Sequence, residues 1–163
     1  MTNNSIQNQA HNPNYHLIPD GTILKLRIII LRGGYNNPHR LWTGGYATRN
    51  DLTCEIYLNV RFKVTEGPYR YRSVFGRIYL YSPQLDEKCN ISRVFVRRVL
   101  SSARNVPLIS KSQEQRDLVT LRFLQELDGI EFLGRACIKQ NSKGIDKNYI
   151  YVVTPNNKDY VQN

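Results

Sequence analysis

Apolar and polar residues alternate through "TILKLRIIIL" (22–31), where Leu24, Leu26, Ile28 and Ile30 are interleaved with Lys25 and Arg27. A period of two sends successive side chains to opposite faces, so this run predicts a strand with one buried face. The alternation is cleanest in "TCEIYLNVRFKVTEG" (53–67). There Cys54, Ile56, Leu58, Val60, Phe62 and Val64 point one way, and Glu55, Tyr57, Asn59, Arg61 and Lys63 the other. Past the turn "EGPY" (66–69), "RYRSVFGRIYLYS" (70–82) predicts a third strand. Val74, Ile78 and Leu80 face inward, and Phe75, Arg77, Tyr79 and Tyr81 face outward. Gly76 interrupts that run and marks a bulge or bend.

The period then lengthens. In "ISRVFVRRVLSSARN" (91–105) Ile91, Val94, Phe95, Val99 and Ala103 recur at helical spacing, with Arg93, Arg97, Arg98 and Arg104 on the flanks. Asn90 stands where such a helix needs an N-cap. A second helix is expected in "SKSQEQRDLVTLRFLQELDG" (110–129), opened by a Ser112/Gln115 capping box and closed by Gly129. Strands four and five follow as "IEFLGRACIKQ" (130–140) and "NYIYVVT" (148–154), joined by the polar hairpin "NSKGIDK". Residues 1–17, rich in Asn, Gln and His, cannot bury enough surface to offset ordering and are expected to be a disordered tail. Residues 155–163 form a C-terminal tail, which leaves one domain over 18–154.

Five strands with a helical insertion after the third define a mainly β, α+β chain. Their order is that of the OB-fold, a small, partly open Greek-key barrel. An SH3-like barrel and an open α+β sheet are the alternatives, and two helices in the insertion rather than one is a departure from the OB pattern. In an OB-fold, ligand lies across strands two and three, between the loop joining strands one and two and the loop joining strands four and five.

That layout gives a place to "RGGYNNPHRLWTGGYATRND" (32–51). Structureless loops of about 20 residues are uncommon inside compact domains and are usually functional or disordered. Disordered segments are poor in aromatics, yet this one holds Tyr35, Tyr46 and the chain's only tryptophan, Trp42, among glycines and arginines. The overall charge changes the picture further: 23 Lys and Arg against 13 acidic residues give a formal net charge of +10. Such an excess points to an anionic partner, nucleic acid before membrane surface.

The outward face of strands two and three presents Tyr57, Arg61, Lys63, Phe75, Arg77, Tyr79 and Tyr81. Proteins that hold single strands combine a positive groove with rings on which bases stack. The first framing loop adds Tyr35, Arg40, Trp42, Tyr46 and Arg49, and its glycines would let backbone approach phosphates. The second adds Lys143 and Lys147. The plain alternative is that these rings pack beneath helices or the N-terminal segment, since Tyr and Phe are good strand formers anyway. Arg93, Arg97 and Arg98 read as a solvated helix face with local ion pairs.

Other chemistries have little support. Cys54, Cys89 and Cys137 are odd in number and widely spaced, without a CxxC pair, which argues against a zinc site or a disulfide framework. Cys54 and Cys137 sit at apolar positions of strand-like runs and are expected as buried thiols. His39 is a lone loop histidine, and no P-loop, HExxH or GxSxG occurs. No enzymatic activity, metal or cofactor is expected. The N-terminus has neither a basic n-region nor an apolar h-region, and "ILKLRIIIL" is too short and too charged to span a bilayer. A cytoplasmic location follows as the default.

The motifs "RGGY", "WTGGYATRND", "YLNV", "EGPY", "YSP", "SARN", "DGIEFLGR" and "VTPNNKDY" resemble a family of small bacterial proteins associated with phages and mobile elements. The resemblance covers roughly residues 18–160. That family is similar in layout to phage single-stranded-DNA-binding proteins. Its segment after "SP" is richer in Gly and Trp than "QLDEKCNISRVF" is here. Charge, aromatic face and resemblance together lead to one expectation: a cytoplasmic protein that holds single-stranded DNA during replication or recombination of a phage or mobile element. RNA is the alternative ligand, a homo-oligomer is compatible, and a membrane is not expected. An assembly module whose aromatic face binds protein is the competing class.

Overall fold

A computed structural model of the chain describes residues 17–36, 44–83, 86–105 and 121–155. Among them lie strands β1 (Ile23–Leu31), β2 (Thr48–Arg49), β3 (Ile56–Val64) and β4 (Ser73–Tyr81), helices α1 (Asp86–Arg104) and α2 (Leu121–Leu127), and strands β5 (Glu131–Gln140) and β6 (Asp146–Val152). All six strands join one antiparallel sheet. β1 pairs β3 along one edge and β5 along the other. β4 lies outside β3, and β6 outside β5. β2 continues the line of β1, pairing the start of β3 through Thr48–Tyr57 and Arg49–Ile56.

The fold is therefore a mainly β, antiparallel open sheet with two helices among the described residues. It differs from a five-stranded closed barrel in two respects. The long loop contributes a sixth strand, β2, and β4 and β6 approach each other without forming a ladder. Helix α1 accounts for part of that gap. Ser92 Oγ accepts a hydrogen bond from the Tyr79 N–H at 2.8 Å, occupying a donor on the free edge of β4. Ser102 Oγ does the same for the Leu133 N–H of β5 at 2.9 Å. Two hydroxyls thus explain why serines lie on the inner side of an amphipathic helix.

The core follows the alternation of the strands. Leu24, Leu26, Ile28 and Ile30 of β1 meet Leu58, Val60, Phe62 and Val64 of β3, and Val74 and Ile78 of β4. The buried rings of Phe62 and Phe132 pack with each other and with the half-buried Phe95 of α1, with centroids 5.6–6.4 Å apart and tilted or edge-on geometry. Gly76 serves this packing: a Cβ there would lie 3.1 Å from the Phe62 ring. The expected bulge is instead at Leu80, where β4 carries one residue more than β3 between the pairs Tyr57–Tyr79 and Ile56–Tyr81.

Helix α1 begins at Asp86, four residues before the expected cap. Asn90 lies inside the helix, where its Oδ1 accepts from Arg93. The earlier start comes with a different buried face. Cys89, Ser92, Val96, Val99 and Leu100 are buried, and Ile91 and Val94 are exposed. The Ser112/Gln115 capping box falls outside the described residues, whereas Gly129 ends α2 with φ of +98° as expected.

The chain enters the core at Ile18, whose backbone N–H and C=O are both held by the side-chain amide of Asn148 at 2.8 Å. Residues 1–16 and 156–163, most of the two expected tails, lie outside the described residues. Cys54 corrects the sequence reading: it is exposed, at φ of +59°, because the turn begun by Asn50 ends on it. Cys137 is half-buried, and the fully buried thiol is Cys89. No described helix is long and apolar enough to cross a membrane.

Candidate nucleic-acid interface

The outer face of β3 and β4 is built by direct cross-strand pairs. Tyr57 lies opposite Tyr79, Asn59 opposite Arg77, Arg61 opposite Phe75 and Lys63 opposite Ser73. β1 extends the rows by placing Leu31 beside Asn59, Ile29 beside Arg61 and Arg27 beside Lys63. The sheet therefore brings together six of the seven residues that alternation had assigned to this face; the bulge at Leu80 sets the seventh, Tyr81, opposite the inward-facing Ile56. Paired side chains on one face are close enough to interact, and here the pairing mixes rings with cations.

The rings are not equivalent. Tyr57 is only 7% exposed, although it points outward. Its centroid is 5.7 Å from that of Tyr79, and the Arg77 guanidinium lies over it at 4.5 Å. Lys88, from the first turns of α1, lies 5.1 Å over Tyr79 and also bridges Glu55 at 3.3 Å. Phe75 and Tyr81 are 64% and 50% exposed. Two of the four rings are thus covered by cations, and two stand in solvent.

The cations differ in the same way. A hydrogen bond to Tyr79 holds the Arg77 pKa above its already high ordinary value; burial opposes it, and the neighbouring Tyr57, Tyr79 and Glu55 each add a lesser upward effect. Arg61 runs between Ile29 and Phe75, and its Nε has no hydrogen-bond partner among the described residues. Lys63 lies 6.0 Å from the Tyr71 ring, which Arg70 also approaches at 4.9 Å. Arg27 is engaged with Glu131 at 2.6 Å.

The long loop is described over 32–36 and 44–51, its two arms. Tyr35 bridges Ala47, and Gly34 N–H donates to the Gly45 carbonyl, so its two arms pair with each other. Gly33 is required by that pairing, since a Cβ on it would lie 2.7 Å from the Ala47 carbonyl. These glycines fold the loop back on itself. Tyr46 is buried under Arg32, which lies 4.2 Å over its ring and donates to its hydroxyl at 3.0 Å. Tyr35 packs against the core. Arg49 is held by Asp51 at 2.7 Å and donates to Cys54 Sγ at 3.4 Å. Arg40 and Trp42 lie outside the described residues. Lys143 and Lys147 belong to the β5–β6 hairpin, which projects past the Ile23 end of β1, whereas the long loop leaves from the Leu31 end.

Some components had no place in the sequence reading. Lys88 was missed because α1 starts earlier than its cap signal. Tyr149 and Tyr151 alternate with the inward-packing Ile150 and Val152, so the period of two in "NYIYVV" marked them as outward. Arg98 lies 5.3 Å over Tyr151. Among the described residues, no group of His, Cys, Asp and Glu could hold a metal ion. The chain matches no protein-family model, and no curated protein resembles it.

Proposed function

We propose that this is a single-stranded-DNA-binding protein that uses the outer face of β3 and β4 as its groove. The observation that carries the reading is the row order on that face: Tyr57–Tyr79, Asn59–Arg77, Arg61–Phe75 and Lys63–Ser73. Rings and cations alternate across two strands, the arrangement that lets bases stack while phosphates meet positive charge. Phe75, 64% exposed, is the platform on this face. Arg77, fixed over Tyr57, offers its outward N–H donors to a phosphate without having to be ordered on binding.

The strand order supports an OB-like scaffold for this groove. β1, β3, β4, β5 and β6 have the connectivity of a five-stranded Greek-key barrel, with α1 inserted after the third long strand and the closing edge unpaired. The net charge of +10 supplies the long-range attraction. The resemblance to phage and mobile-element proteins supports replication or recombination of such an element as the setting.

A titration with labelled oligo-dT, oligo-rU and a duplex of equal length, at two salt concentrations, tests the proposal. Oligo-dT should bind more tightly than duplex, because a closed duplex cannot present base faces to Phe75. Equal affinity for duplex and single strand would leave only charge attraction. Preference for oligo-rU would transfer the same groove to RNA.

A further inference from the structure

The gap between β4 and β6 is a cleft. Each of these strands has one ladder partner, and α1 crosses the space between them. Two adjoining cavities, of about 290 and 390 Å³, share Ile91, Phe95 and Ile150 in their walls. The first reaches Phe75 and Arg77 on the face already described. The second runs along α1 to Arg98 and Tyr151.

Ile91 is 64% exposed here, and Val94 and Tyr149 are each 40% exposed. An amphipathic helix normally turns such residues inward. α1 leaves them at the cleft because its buried side is taken by Ser92, Val96 and Val99. The charge of the cleft selects its occupant. Arg77 stands at one end and Arg98 at the other, and no carboxylate is among the described residues lining it. An apolar peptide has no use for two terminal cations. A nucleotide chain has apolar base faces joined by anionic phosphates and matches an aromatic-walled slot between guanidinium groups.

We infer that the cleft between α1 and β6 is a second base-binding subsite, in which the exposed rings of Tyr149 and Tyr151 receive bases of the strand that leaves Phe75. This rests on the single-strand reading above and extends the path of the ligand from β4 across the open seam to β6.

Photocrosslinking with oligo-dT carrying one 5-iodouracil at successive positions tests the path on the wild-type protein, with adducts mapped by peptide mass spectrometry. Adducts on Tyr149 or Tyr151, besides those on β4, are expected. Ile91→Glu, at an exposed position, places a negative charge in the cleft. It should weaken binding of long oligo-dT by roughly five- to 150-fold, the range for loss of one stacked base, and leave the circular-dichroism melt unchanged. Adducts confined to β3 and β4, with Ile91→Glu binding like wild type and Phe75→Ala impaired, would overturn the subsite and leave the groove standing. If wild type binds no single strand, or Phe75→Ala and Ile91→Glu are both silent, the groove falls and the subsite with it. If Ile91→Glu changes only the sedimentation of the protein, the cleft is a contact between copies and the subsite is overturned.

Discussion

Tyr57 and Phe75 sit on the same outer face, on adjacent strands, yet one is buried and the other stands in solvent. Alternation placed both correctly and could not distinguish them. The difference comes from their neighbours. Tyr57 has a ring opposite it and a guanidinium above it, whereas Phe75 has the stem of Arg61 opposite it. One ring has become part of the support for a cation, and the other is left as a platform. Position in a strand assigns a residue to a face; its cross-strand partner decides whether that residue is available to a ligand.

Exchanging each ring for alanine should separate the two roles. Tyr57→Ala removes a buried ring and the surface on which Arg77 rests. It should cost about 3 kcal/mol of stability, as truncation of a buried aromatic does, read from a denaturant melt. A melt like that of wild type would mean that Tyr57 carries no packing and that the two rings are equivalent. Phe75→Ala should leave stability within about 0.5 kcal/mol while weakening oligo-dT binding by roughly 1–3 kcal/mol. Unchanged affinity in a folded protein would remove the platform role and favour protein contact for this face.

A smaller effect should follow from the cations. Arg77→Ala should lower the slope of log affinity against log salt by about 0.7, the share of one phosphate on a single strand. Phe75→Ala should leave that slope alone, because stacking releases no counterions. A slope shift in both variants, or in neither, would merge the roles assigned to the two residues. The smallest effect concerns acidity. The hydrogen bond to Tyr79 raises the Arg77 pKa, so its charge would be lost only as pH rises beyond an already high value. Affinity should therefore be flat between about pH 6 and 9, and a fall across that window would implicate another group.

The sequence was most legible where a period ran undisturbed. All five long strands are present near their expected positions, and the outward residues of β3 and β4 share one face as far as Tyr79, beyond which the bulge at Leu80 breaks the period and turns Tyr81 out of the row. It was least legible where tertiary partners override local signals. Asn90 has the chemistry of a cap but serves as a mid-helix acceptor for Arg93. Ile91 and Val94 carry helical spacing but face the cleft, because the buried side of the helix is turned toward Ser92, Val96 and Val99, with Ser92 and Ser102 bonded to strand edges. The glycines of the long loop suggested room for phosphates, yet Gly33 is spent on close approach to Ala47. Tyr46 looked like a binding ring and is the seat of Arg32.

The double pairing of β1 sets a timetable for folding. Its partner on one side is β3, reached by a nearby loop, but on the other it is β5, where Arg27 meets Glu131 across 104 residues of sequence. Contacts so far apart along the chain are slow to form. During synthesis, β1, β3 and β4 can assemble as a three-stranded meander well before β5 leaves the ribosome. Until then the second edge of β1, with Ile23 to Arg27, remains an open template for another chain. Lys25 and Arg27 lie on that edge, where positive charge repels a second nascent copy of the same strand. The cations of β1 thus guard an unfinished sheet, a duty separate from anything they do once Glu131 has arrived.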